Sequence, residues 1–160
     1  MQMMQDVDFR FVFIGIESPE DDILKSTNKM TNVNKSVIEA VNKVTSYGMV
    51  VNGGFIIGFD NETDRTADNM IRCIQDSGIC MAMLGKLAAL PNTQLTRRLK
   101  REERLFENGY TIRDSNTELD QMTSGLNFIT ARPRLKVLRD YIRVVKYIYE
   151  PKHYYERVLY

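Results

Sequence analysis

Glu17, Asp60 and Lys86 each end an apolar run that carries a glycine one or two residues earlier: Gly15-Ile16-Glu17, Gly58-Phe59-Asp60 and, less well matched, Gly85-Lys86. A strand meant only to fill a core needs no charge at its tip. In parallel α/β folds, ligands sit at the carboxyl ends of the strands, so tips of this kind would converge on one site. A glycine there lets a ligand approach the backbone, and a carboxylate accepts hydrogen bonds or pairs with a cation. Glycines also relieve bends at barrel corners, and spacing alone does not choose between the two. Asp60 stands where a base would be useful but has no identifiable partner. Glu62, Asp64 and Asp68 after it read as an exposed acidic helix start.

Other chemistries find little support. His153 is the only histidine and lies in a tail rich in Tyr and Arg, where a surface role fits, so no Ser-His-acid triad is available. Cys73 and Cys80 are too few and too far apart for a disulfide framework or a zinc site, and read as small buried thiols in a reducing compartment. The nine methionines suggest an adaptable core, with Cys80-Met-Ala-Met-Leu84 as a buried strand and not a metal site. Net charge is +1 but unevenly spread: residues 1–24 hold six acids against Arg10, and residues 132–160 hold eight Lys or Arg against three acids. A second basic run comprises Arg97, Arg98, Lys100, Arg101 and Arg104. Without interleaved aromatics or a nucleic-acid motif, both runs read as solvated helix faces, and no nucleic-acid partner is expected. No apolar run reaches membrane-span length, and Met1 to Phe9 has no signal-peptide character, so a cytoplasmic location is the default expectation.

The elements that must position these tips alternate. Phe9 to Glu17 reads as a buried parallel strand, apolar on both faces. Pro19 is expected to open a short helix to about Thr27, with Ser18 as its cap. Asn34 to Tyr47 is a helix with Val37, Ile38, Val41 and Val44 on one side, stopped by Gly48. Val50 to Phe59 is the next strand, Thr63 to Ser77 the next helix and Ile79 to Leu87 the third strand. Asn92 or Thr93 then caps a helix to about Leu105. The segment from Phe106 to Arg132 is polar, with turn signals at Asn108-Gly109 and Ser124-Gly125, and reads as a long connection. Pro133 starts a helix to about Tyr149, with Leu135, Leu138, Ile142, Val145 and Tyr149 as its apolar stripe. A short helix follows Pro151. Repeated βα order implies right-handed crossovers and parallel strands, either a barrel slice or a doubly wound sheet.

The stretches FIGIESPEDDILKSTNK, GGFIIGFDNET and LAALPNTQL, in this order and at these separations, resemble the last three strands of the radical S-adenosylmethionine (SAM) enzymes. The nearest likeness is to the cobalamin-binding branch with an uncharacterised C-terminal extension, which the tail VLRDYIRVVKYIYEPKHYYERVL also resembles. The resemblance implies an α/β fold with a partial (β/α) barrel. Residues 1–105 would be three C-terminal βα units, and residues 106–160 a linker and an α-helical extension. It implies SAM as cofactor at a partial site, with a [4Fe-4S] cluster and cobalamin in the parent family. Glu17 and Ser18 fall on the family's Gly-Val-Glu-Ser tip, which contacts the ribose or methionyl part of SAM. Gly54, Ile56 and Gly58 match Gly-x-Ile-x-Gly-x-x-Glu, which supports the adenine. Asn61 replaces that pattern's last acid, with Glu62 beside it. Leu87, Ala88 and Pro91 fall where backbone groups line the adenine pocket. Asn92 replaces a glycine there, a mild departure because asparagine tolerates the same turn.

The family's Cys-x-x-x-Cys-x-x-Cys cluster motif has no counterpart in these residues, nor has the cobalamin domain. The resemblance therefore implies a truncated or split chain, inactive alone, with no metal ligands of its own. Its partner would be the missing N-terminal half, or a second copy joined through the open sheet edge. The substrate would be a small molecule that these residues do not specify. A different expectation is a non-catalytic protein-interaction module derived from that fold. An unrelated (β/α) fragment binding phosphate at the strand tips is disfavoured, because no Gly-rich loop precedes a helix.

Overall fold

The computed structural model describes residues 1–106 and 125–159, so most of the connection expected over 106–131 lies outside the described residues. Three strands, β1 (Phe11–Glu17), β2 (Val50–Ile57) and β3 (Met81–Lys86), form one parallel sheet in the order β1-β2-β3. A short α1 (Gln2–Asp6) precedes β1, and α2 (Asp21–Ser26) and α3 (Val37–Thr45) carry the chain from β1 to β2. Helix α4 (Thr66–Asp76) joins β2 to β3, and α5 (Gln94–Arg101), α6 (Arg134–Ile148) and α7 (Pro151–Val158) follow. Strands and helices thus alternate as an α/β fold requires.

Local chemistry sets the boundaries. Strand β2 ends at Ile57, before the expected Phe59, because Gly58 takes φ +114° and turns the chain. Helix α3 starts at Val37, later than expected, because Asn34 takes φ +56° and Ser36 supplies the cap, its Oγ accepting from the Glu39 N–H at 3.2 Å. Thr93 caps α5 in the same way, accepting from the Thr96 N–H at 3.2 Å. Pro19 does not open α2. Ser18 Oγ accepts from the Glu20 N–H at 3.2 Å, and this tight turn delays the helix to Asp21.

The helices bury one sheet face. Ile16, Val51, Phe55, Ile57, Ala82 and Leu84 pack with Val41 of α3, Met70 and Ile74 of α4, and Val137, Val144 and Ile148 of α6. The other face is bare, with Phe11 and Phe13 65% and 60% exposed and Met81 and Met83 each 51% exposed. The expectation that β1 is buried on both faces therefore fails: only its Val12, Ile14 and Ile16 side finds cover.

Helix α6 corrects an expectation. Leu135 and Ile142 are exposed and Tyr149 is 43% exposed, while Val137, Val144 and Ile148 are buried. Its apolar residues form two adjacent stripes of helical spacing, and packing against α4 and β3 selects the second. Leu138 and Val145, on the border, are partly covered.

The basic tail is not wholly a solvated face. Arg157 is 2% exposed. Its Nε donates to Ile79 O at 2.9 Å, its Nη1 to Gln75 Oε1 at 3.0 Å and to His153 O at 3.2 Å, and its Nη2 to Ile148 O. His153, expected at the surface, is partly buried, its ring stacked on Tyr147 with centroids 3.7 Å apart. Cys73 and Cys80 are free and half-buried, and burial pushes the Cys73 thiol up to about 11. Among the described residues no helix is long and apolar enough to cross a membrane.

Candidate functional site

At the tip of β1 the register slips, with Gly15 opposite Gly54 but Glu17 opposite Phe55, so Ile16 is an extra residue. Glu17 takes φ +68°, a conformation that costs a non-glycine residue about 1 to 3 kcal/mol and persists where the surroundings enforce it. Its carboxylate folds back over the bare face: a Cβ on Gly15 would lie 2.9 Å from Glu17 Oε1. Lys29 Nζ pairs with this oxygen at 3.0 Å, and Asn32 Nδ2 donates to Gly15 O at 3.0 Å. Ser18 goes elsewhere. It is buried and lines a cavity of about 80 Å³ with Ile14, Ile16 and Val41, on the helix-covered side.

Gly54 and Ile56 lie on the bare face, where Gly54 is next to Gly15 and Ile56 next to Gly85. Phe13 covers Gly54, since a Cβ there would come 2.8 Å from Phe13 Cζ. Glu17, Gly54 and Ile56 therefore share one surface.

Gly58, Leu87 and Ala88 form a second, covered group at the tips of β2 and β3. A Cβ on Gly58 would meet Leu126 Cδ2 at 2.5 Å, and the Leu126 N–H donates to Leu87 O at 2.7 Å. Asn127 clasps Ala89 with both amide atoms, at 2.8 and 3.1 Å. Pro91 stands apart in an exposed loop, and Asn92 takes φ +64°, as its turn demands.

Glu62 corrects the reading of an exposed acidic helix start. It is 6% exposed, and its Oε1 accepts from the Gly58 N–H at 2.5 Å and the Phe59 N–H at 3.1 Å. Arg132 Nη1 donates to Oε2 at 3.2 Å, and Arg132 Nη2 reaches Asp140 at 2.5 Å. Only Asp64 and Asp68 are exposed, paired with Lys136 and Arg143. The nearby sequence signal was the glutamate one place past the pattern's last acid. Burial raises the Glu62 carboxyl to about 7, outweighing the Gly58, Phe59 and Arg132 hydrogen bonds. Between about pH 4.5 and 7 the folded chain keeps a proton that the unfolded chain has lost, so this group makes stability fall as pH rises through that window. Glu62→Gln removes the slope. In urea titrations the variant should gain roughly 3 kcal/mol on the parent between pH 4.5 and 8, and parallel stability curves would show that Glu62 does not titrate there.

Asp60 is not a base. Arg104 Nη2 binds Oδ1 at 2.6 Å, and Arg98 and Arg104 reach Oδ2 at 2.8 and 3.0 Å. The Arg104 guanidinium first, then that of Arg98, holds the carboxyl below its ordinary value. Beside it a cleft of about 430 Å³ opens between the end of α2, the β2 and β3 tips, and α5.

Residues 93–160 match a family model described as a domain of unknown function, DUF4070. The chain is 35% identical over 157 residues to an uncharacterized methyltransferase of Synechocystis sp., spanning 98% of this chain and 28% of that protein. It is 35% identical to hopanoid C-2 methylase of Rhodopseudomonas palustris over 74% of this chain and 21% of that one. With bacteriochlorophyllide d C-12(1)-methyltransferase of Chlorobaculum tepidum it shares 29% identity, over 59% and 21% respectively. The chain thus spans between a fifth and three tenths of the relatives it matches. The resemblance to the C-terminal part of the cobalamin-binding radical SAM methyltransferases holds on these matches.

Proposed function

We propose that this chain, similar along its length to the C-terminal portion of radical SAM methyltransferases, forms one side of an S-adenosylmethionine pocket in an enzyme of that kind. The supporting observation is the Glu17 carboxylate, held by a strained backbone at the carboxyl end of β1 and turned onto a bare apolar face. That face fits an adenosyl group: Phe13 and Ile56 offer apolar support, and Glu17 accepts hydrogen bonds from ribose hydroxyls or pairs with the methionyl ammonium in exchange for Lys29. SAM, when bound, supplies the group to be transferred. Gly58, Leu87 and Ala88 would act from beneath, through the backbone, since Leu126 and Asn127 cover them. The parent's cluster does not fit here. Cys73 on α4 and Cys80 just before β3 are only two thiols, and no group of three or more metal ligands occurs among the described residues. Cobalamin and the cluster are assigned to other parts of the parent, with the partial barrel completed by its preceding strands.

Calorimetry on the chain combined with a matching N-terminal half tests the reading. Glu17→Ala should weaken SAM binding by about 1 to 3 kcal/mol, the loss expected for a charged hydrogen-bond partner. Equal affinities would remove Glu17 from the pocket. A non-catalytic interaction module draws support from the exposed Leu135 and Ile142 stripe of α6. In that case no SAM would bind with or without an N-terminal half.

A further inference from the structure

We propose that the cleft between α5 and the strand tips binds a multivalent carboxylate or phosphate anion through Arg98 and Arg101, and that a substrate of the parent enzyme carries such a group. The second clause rests on the reading of the strand tips as a ligand end; the first stands on the cleft itself. The cleft, about 430 Å³, has an apolar floor of Phe59, Leu87 and Leu95 and a polar rim including Asn28, Asn61 and Gln94. A floor of this kind with a few placed polar groups is what small-molecule sites share.

Its charge is unbalanced. Around the cleft stand three guanidiniums, Arg98, Arg101 and Arg104, against two carboxylates, Asp60 and Glu102. Asp60 is saturated by Arg98 and Arg104, and Glu102 pairs with Arg104 at 2.9 Å. Arg101 lines the cleft with no partner among the described residues. Arg98 is braced by Asp60 through Nη2, while its Nε is covered and has no hydrogen-bond acceptor, the nearest acid being Glu102 Oε1 at 3.7 Å. One guanidinium held in place by a carboxylate and a second left unpaired on the next turn make a fork for an anion with two or more acidic oxygens. Helix α5 lies within the segment that matches the domain of unknown function, so the proposal gives that segment a binding role.

Equilibrium dialysis of the 160-residue chain against labelled pyrophosphate and, separately, labelled citrate reads binding even if the chain self-associates. At least one anion should bind at low salt, and the tighter of the two identifies phosphate or carboxylate as the preferred group. Arg101→Gln should weaken binding about tenfold, the usual effect of one charge-assisted hydrogen bond, and Arg101→Lys less. Lys100→Gln, which removes an equal charge from α5 outside the cleft lining, should change it less than about twofold, the screened effect of a solvated charge. The circular dichroism of each variant should match the parent, because both side chains are exposed. Absence of binding by both anions would overturn the proposal, as would equal losses from Arg101→Gln and Lys100→Gln. Glu17 does not line this cleft. Failure of the Glu17→Ala test with anion binding intact would therefore leave the cleft standing and remove only the SAM reading.

Discussion

Arg157→Ala should cost the chain about 3 to 5 kcal/mol, enough to unfold a domain near the lower end of ordinary stability. The residue is buried, and its guanidinium ties its own helix α7, at His153, to Gln75 of α4, Ile148 at the end of α6 and Ile79 in the loop before β3. Truncation leaves the Ile79, Ile148 and His153 carbonyls without this donor and opens a cavity, and the two losses add. Burial works in the opposite direction, pulling the Arg157 pKa down, so part of the charge's cost is recovered when it goes. Arg157→Met separates the contributions. It refills much of the volume without donors and should cost about 1 to 3 kcal/mol. Urea denaturation followed by circular dichroism gives both numbers. Losses under about 0.5 kcal/mol for both, the range of ordinary surface substitutions, would show α7 to be an appendage and not part of the fold.

Arg157 also marks where the sequence stops being readable. In a tail of eight basic residues against three acids, nothing local separates the buried Arg157 and Arg132 from their solvated neighbours. What buries them comes in part from far along the chain: Gln75 and Ile79 for Arg157, and Glu62 for Arg132. The three strands and most helices were legible because apolar period and caps are local: the apolar run opening at Val50 and Thr93 before α5 act through neighbours in the chain, whereas the Ser36 cap, two residues past the expected start of α3 at Asn34, went unread. Helix α6 was legible as a helix but not in orientation, because two stripes of equal spacing compete and only contact with α4 and β3 decides. At the candidate site, Glu17 and the glycines were visible as tips of apolar runs. Glu62 was not, because its burial depends on the turn at Gly58 and on Arg132, seventy residues on. Asp60 was visible but misread for the same reason, its two arginines arriving from α5 and the loop after it.

The bare face sets the other large expectation: at micromolar concentration the chain should self-associate, and association should run through β1. The two sheet edges differ. On β3 the Tyr149 hydroxyl donates to Ala82 O at 2.9 Å and Leu126 pairs with Leu87, so the chain's own extension occupies that edge. On β1 the Val50 N–H takes Arg10 O, which turns Val12 and Ile14 toward β2 and leaves Phe11, Phe13 and Gly15 directed outward, with Asn32 covering Gly15 O. An unpaired edge beside an apolar face is a template for another strand. Phe11, Phe13, Met81 and Met83 keep half or more of their surface in water, and covering that remainder would contribute roughly 3 to 6 kcal/mol per chain. A preceding strand of a longer chain, or a second copy, would gain it. Because these side chains already face solvent, a Phe11→Glu, Met83→Glu double variant should fold like the parent. It should also weaken association by at least a hundredfold, about 2.7 kcal/mol. Sedimentation velocity at micromolar concentration compares the two chains. A parent that is already monomeric and unfolds cooperatively would show that the bare face needs no partner, and would favour a free-standing module over one side of a barrel.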